Sequence, residues 1–149
     1  MLFSKHSLRC ALSCALLATT LAFSATTRAQ EEQTETASKL RPWTLRVHYA
    51  RPAGDYAGWG VYAWKGPQNG APKWPANWKF TGHDHHGVYL DIVLGESAAT
   101  VEFLISDGKG NKNCAQDQKY TLPASIAREG REIWLRQGSC SIASTPHHR

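Results

Sequence analysis

From Trp43 to Tyr49 apolar and polar side chains alternate without a break, with Trp43, Leu45, Val47 and Tyr49 on one side and Thr44, Arg46 and His48 on the other. A period of two marks a half-buried strand, and Arg51-Pro52-Ala53-Gly54-Asp55 supplies the turn that ends it. Comparable short runs recur at Gly58 to Trp64, Val88 to Leu94, Thr100 to Ile105, Lys119 to Leu122 and Arg131 to Leu135, separated by clusters of Gly, Pro, Asn and Asp. No long window keeps a helical period. The pattern predicts an all-β chain, a single immunoglobulin-like β-sandwich of antiparallel strands. Its least regular part, Lys65 to Lys79, holds three Pro, two Gly and the indoles of Trp74 and Trp78, and reads as a long, packed loop.

One strand is apolar on both faces. In Trp59-Gly60-Val61-Tyr62-Ala63-Trp64 the alternation puts Trp59, Val61 and Ala63 on one side and Gly60, Tyr62 and Trp64 on the other. If the first side is core, the rings of Tyr62 and Trp64 project from the second about 7 Å apart. Two flat rings at that spacing suit sugars, whose C–H faces stack on aromatics while hydroxyls at the ring edge stay free for hydrogen bonds. The alternative is that both faces are buried between two sheets. Trp59, and Trp134 in the last strand, are assigned to the core.

The N-terminus changes the accounting. Lys5 and Arg9 precede a charge-free apolar stretch from Cys10 to Ala25, and Thr27-Arg28-Ala29 offers small residues at the cleavage positions. Residues 1–29 are therefore expected to be an export signal, 30–40 a flexible acidic leader, 41–140 the folded module and 141–149 a frayed tail. Of the 149 residues about 120 would remain after cleavage, too few for a (β/α)₈ barrel of roughly 250 residues. The signal holds Lys5, Arg9 and Arg28 and no acid, so of the formal net charge of +5 the exported chain would keep about +2, scattered rather than striped, which argues against nucleic acid. The apolar stretch is too short and too rich in Ala, Ser and Thr for a membrane span, and no later segment competes with it.

Two of the four cysteines, Cys10 and Cys14, would leave with the signal. In a secreted or periplasmic protein the surviving pair, Cys114 and Cys140, is expected to form one disulfide, stabilising by roughly 3 kcal/mol in the chain-entropy model.

Several separated blocks, in order, resemble the pullulanase-associated starch-binding domain, carbohydrate-binding module family 41. They are His48-Tyr49-Ala50-Arg51-Pro52-Ala53-Gly54-Asp55-Tyr56-Ala57-Gly58-Trp59, then Trp64, then Phe80-Thr81-Gly82-His83-Asp84-His85-His86-Gly87, and finally Arg131-Glu132-Ile133-Trp134-Leu135. The resemblance runs from about Thr44 to about Gly138. It implies a non-catalytic β-sandwich that binds α-1,4-linked glucans: starch, amylose, amylopectin, pullulan and maltooligosaccharides. The family's stacking pair falls on Tyr62 and Trp64, and its polar pair, a Lys followed five residues later by an Asp, on Lys112 and Asp117. Better-known members resemble one another in carrying Trp where this chain has Tyr62, a smaller ring that stacks less area, so Tyr62→Trp is expected to raise affinity. Outside the resemblance, Lys112 reads as a solvated loop lysine and Asp117 as a turn-capping carboxylate.

Other chemistry fits less well. His83-Asp84-His85-His86 invites a metal reading, but adjacent residues rarely converge on one ion. Asp107-Gly108-Lys109-Gly110-Asn111 looks faintly like half a calcium loop without its distal acid, and a turn is the better assignment. Asp84, Asp91, Glu96, Glu102, Asp117 and Glu132 show no spacing that pairs two carboxylates for glycoside hydrolysis. No enzyme, cofactor or metal is expected. The partner is an α-glucan and the chain a monomer that stands without an attached hydrolase; the alternative is a module on the same fold that docks or inhibits a separate amylolytic enzyme.

Overall fold

A computed structural model describes residues 39–146. The expected signal peptide and nearly all of the leader lie outside the described residues. Among those described the strands are β1 (Thr44–Ala50), β2 (Gly60–Lys65), β3 (Trp78–Lys79), β4 (Gly82–Asp84), β5 (Gly87–Val93), β6 (Thr100–Ser106), β7 (Gln118–Thr121) and β8 (Arg131–Arg136), with one 3₁₀ turn at Ala124–Ala127. They form two four-stranded sheets, ordered β4-β5-β1-β8 and β3-β2-β6-β7. All six predicted runs are strands. The additions are β3 and β4, two and three residues long, where the chain leaves the irregular loop and crosses from one sheet to the other.

Alternation decides what lies between the sheets. Leu45, Val47 and Tyr49 of β1, Val61 and Ala63 of β2, Val101, Phe103 and Ile105 of β6, and Ile133 and Leu135 of β8 are all at most 1% exposed and form one core with Leu90 and Ile92 of β5. Burying a side chain of this size is worth roughly 1.5–3 kcal/mol, which is why the period-two pattern dominates the register.

Three expectations are corrected. The β1–β8 pair runs parallel, with Val47 opposite Ile133, because β8 returns from the other sheet through the 3₁₀ turn to lie beside β1 in the same sense. Trp134 is not a core residue: with Ile133 and Leu135 pointing inward, the alternation turns it to the outer face, where it stacks on His48 at 4.8 Å between centroids. The described part of the expected tail, residues 141–146, is tied down through Ala143, whose N–H and C=O exchange 3.0 Å hydrogen bonds with Trp134. Trp59 sits just before β2, half-buried, packing on the core beside Tyr49 with the Arg51 guanidinium 4.3 Å above its ring.

On the outer face of the first sheet the buried His48 faces two carboxylates, Asp84 on β4 at 3.1 Å from Nδ1 and Glu132 on β8 at 2.6 Å from Nε2. This cluster joins three strands of the sheet. Asp84 also accepts the His86 N–H at 2.7 Å, so its carboxylate is engaged by the fold on both oxygens.

Candidate functional site

The second sheet carries the aromatic residues. Val61 and Ala63 are fully buried, so Tyr62 and Trp64 emerge on the outer face of β2. Register does the rest: Tyr62 lies opposite Leu104 of β6, Ala63 opposite Phe103, and Lys65 opposite Glu102, which leaves Trp64 as the extra residue of a β-bulge. A bulge bends its strand and re-aims a side chain. Here Trp64 and Lys65 are both exposed, and both reach the same carboxylate: Trp64 Nε1–H donates to Glu102 Oε2 at 3.3 Å and Lys65 Nζ to Oε1 at 3.1 Å. The Lys65 hydrogen bond, with smaller help from Trp64 and Lys119, holds the Glu102 carboxyl below its ordinary range. Beyond the bulge, Gly66 turns the chain at φ 98°, and a Cβ there would lie 2.7 Å from the Thr100 carbonyl.

Lys112 and Asp117 come from the connection between β6 and β7. Asp107 organises its first half: Oδ1 accepts the N–H groups of Lys109 and Asn111 at 2.8 and 3.1 Å, and Oδ2 accepts the Asn111 amide at 2.6 Å. These bonds, the Asn111 amide foremost, lower the Asp107 pKa. The segment is thus the turn its composition suggested. Asn113 anchors the second half. Its Oδ1 accepts from the Tyr49 hydroxyl at 2.7 Å and from Gly138 N–H at 2.9 Å, while Nδ2 donates to the carbonyls of Arg136 and Ser139 at 3.0 Å each. Burial pushes the Tyr49 hydroxyl above its ordinary value, keeping it a donor. Next to Asn113, Cys114 is bonded to Cys140, with Cα atoms 5.4 Å apart. The expected disulfide is present, and its Cys114 lies between the two residues of the polar pair in sequence. Lys112 Nζ donates to Asp117 Oδ1 at 2.8 Å across this loop.

These parts converge. A cavity of about 220 Å³ on the outer face is lined by Tyr62, Trp64, Trp74, Leu104, Lys112 and Asp117. All four sequence-predicted site residues border it, the aromatic pair from β2 and the polar pair from the β6–β7 loop. Trp74 joins from the irregular loop and Leu104, 4% exposed, forms the floor. Of the lining residues, Leu104 was not singled out from sequence. Glu102 and Leu104 share the outer face of β6, and the uninterrupted apolar run Phe103-Leu104-Ile105 was the signal that this strand, like β2, is apolar on both faces. Among the described residues no group of three or more His, Cys, Asp and Glu side chains could hold a metal ion.

The bacterial "pullanase-associated domain" family matches residues 43–144, more than half of the chain and the whole of the site. The chain belongs to this family. This chain is 27% identical over 106 residues to pullulanase A of Streptococcus pneumoniae, a match that covers 70% of this chain and 8% of that protein. An α-amylase of Streptomyces lividans is 26% identical over 84 residues, covering 56% of this chain and 9% of its own. The chain thus spans less than a tenth of the curated relatives it matches. Among solved structures, one described as α-glucan binding by a streptococcal virulence factor superimposes with a TM-score of 0.61 at 29% identity, over 74% of this chain and 52% of that one. A product complex of a multi-modular glycogen-degrading pneumococcal virulence factor gives 0.62 at 28% identity, over 72% of this chain and 11% of that one.

Proposed function

We propose that this pullulanase-associated domain is a non-catalytic module that binds α-1,4-linked glucans in an oxidising, extracytoplasmic compartment, at the cavity between β2 and the β6–β7 loop. The observation that carries the reading is the convergence of Tyr62, Trp64, Lys112 and Asp117 on one shallow cavity. Stacking supplies area: each aromatic face can cover the C–H side of a glucosyl ring, at about 25 cal/mol per Å² of apolar surface removed from water. The polar pair supplies orientation, because ammonium donates and carboxylate accepts, and a sugar hydroxyl does both. Lys112 and Asp117 are exposed, with side chains 37% and 52% accessible, so their own ion pair is worth little and a hydroxyl can share or replace it at small cost. The carboxylate at the site is already held by an ammonium group, an arrangement suited to accepting hydrogen bonds rather than delivering a proton to a glycosidic oxygen. Similarity to proteins described as binding α-glucan supports the choice of ligand.

Co-sedimentation with insoluble starch, with cellulose as the control polymer, tests the reading. The wild-type protein should pellet with starch and not with cellulose, and Trp64→Ala should stay in solution. Equal retention on both polymers, or on neither, would refute it.

A further inference from the structure

Tyr62 and Trp64 are the stacking pair that the sequence motif points to, yet they are not the two most accessible rings of the site. Trp64 is 36% and Trp74 40% exposed, the only tryptophans among the described residues that stand out as exposed large side chains, while Tyr62 is half-buried. Tyr62 is the ring common to both contacts: its centroid lies 5.7 Å from Trp64, with planes tilted by 35°, and 5.1 Å from Trp74, with planes at 74°. The three rings therefore make a corner above Leu104, with Tyr62 and Trp64 as gently folded neighbours and Trp74 as a wall upright to Tyr62.

The wall is held in place. Trp74 sits in a turn closed by the Ala76 N–H donating to the Lys73 carbonyl at 2.8 Å. Directly after it, the Asn77 amide clamps the foot of the loop, donating to the carbonyls of Ser106 at 2.7 Å and Gly58 at 3.1 Å. The turn that spans Trp74 and the Asn77 side-chain clamp that follows it restrict the indole's position before any ligand arrives, which lowers the ordering cost of using it. An exposed Trp at the rim of a polar cavity and fixed at its base is positioned for contact rather than for packing.

We propose that Trp74 is the second stacking ring of this site, working with Trp64, and that Tyr62 is the keystone that sets the angle between them. A glucan that turns at each α-1,4 linkage can lay one glucosyl face on Trp64 and the next against Trp74. The inference rests on the α-glucan reading above. It reverses the expectation for position 62: a larger indole there would fill the corner and displace Trp74 instead of adding a platform.

Calorimetric titration with maltotetraose on the folded, disulfide-bonded protein decides it. Trp74→Ala should weaken binding about tenfold or more, as Trp64→Ala does, with an unfolding temperature close to that of the wild type. Trp74→Phe, which keeps a smaller ring, should fall between the wild type and the alanine variant and reads the same contact if the alanine variant folds poorly. Tyr62→Trp should bind more weakly than the wild type. Wild-type-like affinity in the Trp74 variants, or tighter binding by Tyr62→Trp, would overturn the inference while leaving α-glucan binding in place. A wild-type protein that binds neither maltotetraose nor starch would remove the functional reading itself.

Discussion

Lys112 and Asp117 stand exposed 2.8 Å apart at the rim of the aromatic corner, and the two readings of that pair predict different mutants. As a surface ion pair it contributes about 0–1 kcal/mol to folding. As a hydroxyl clamp, loss of either partner removes a charge-assisted bond worth roughly 1–3 kcal/mol of binding. Lys112→Ala and Asp117→Ala should therefore each weaken maltotetraose about fivefold to a hundredfold while leaving urea unfolding nearly unchanged. Glu102 gives a pH prediction. Its carboxyl is held below 4.5 by Lys65 first and by Trp64 and Lys119 after it, so the stabilisation is fully present above that value and is lost as pH falls through the lower folded-state pKa. Since the same carboxylate accepts from the Trp64 indole, glucan affinity should decline in acid, and Glu102→Gln should flatten the low-pH limb of a binding profile recorded between pH 3 and 7. The outward placing of Tyr62 and Trp64 was legible from alternation, whereas Lys112 and Asp117 came only from the family resemblance, since by themselves they read as a solvated lysine and a turn-capping carboxylate. Glu102 and Trp74 were candidates without an assigned place at this site, since what brings them to it is a bulge at Trp64 and the path of a loop, neither of which leaves a periodic trace.

The β2 strand divides its labour by face. Trp59, at its head, packs on the core and under the Arg51 guanidinium, whereas Trp64, at its tail, is held only at its edge. Trp59→Ala should cost about 2–4 kcal/mol in chemical denaturation, below the value for a fully buried indole because Trp59 is half-buried. Trp64→Ala should cost under about 1 kcal/mol in the same measurement yet abolish starch co-sedimentation. The six longer strands could be read from alternation because each has an inner face that stays out of water along its length. For β3 and β4 there is too little chain for a period to register: β3 pairs with Gly60 and Val61, distant in sequence, and β4 is the short arm of a tight hairpin with β5. Trp134 shows the limit of the same logic. Ile133, Trp134 and Leu135 are apolar in succession, so hydrophobicity could not say which one faces out; the partner that takes Trp134, His48, lies on another strand. The parallel sense of β1 and β8 is likewise a property of chain return, not of either strand's composition.

At the scale of the molecule, the core and the binding loop are one mechanical unit. Tyr49, fully buried between the sheets, donates to Asn113, and the Cys114–Cys140 bond closes a span of 26 residues that links the loop to the segment after β8. Reduction should lower stability by about 3 kcal/mol and weaken glucan binding in parallel, because Lys112 and Asp117 flank Cys114. Intact mass of the exported protein should rise by two hydrogens on reduction, with no thiol alkylated beforehand. The fold class and the disulfide were legible at this scale because alternation and an even cysteine pair are global constraints; the register that brings β2 and the β6–β7 loop to one cavity was not, since it is set by packing between residues far apart in the chain. The most direct test is a nitrogen-15 nuclear magnetic resonance titration of the indole N–H signals with maltotetraose, each assigned by substitution with Phe. The account predicts that Trp64 and Trp74 shift together and saturably while Trp59 and Trp134 hold still. Shifts confined to Trp134 and Trp59, or a spectrum that maltotetraose leaves unchanged, would contradict it.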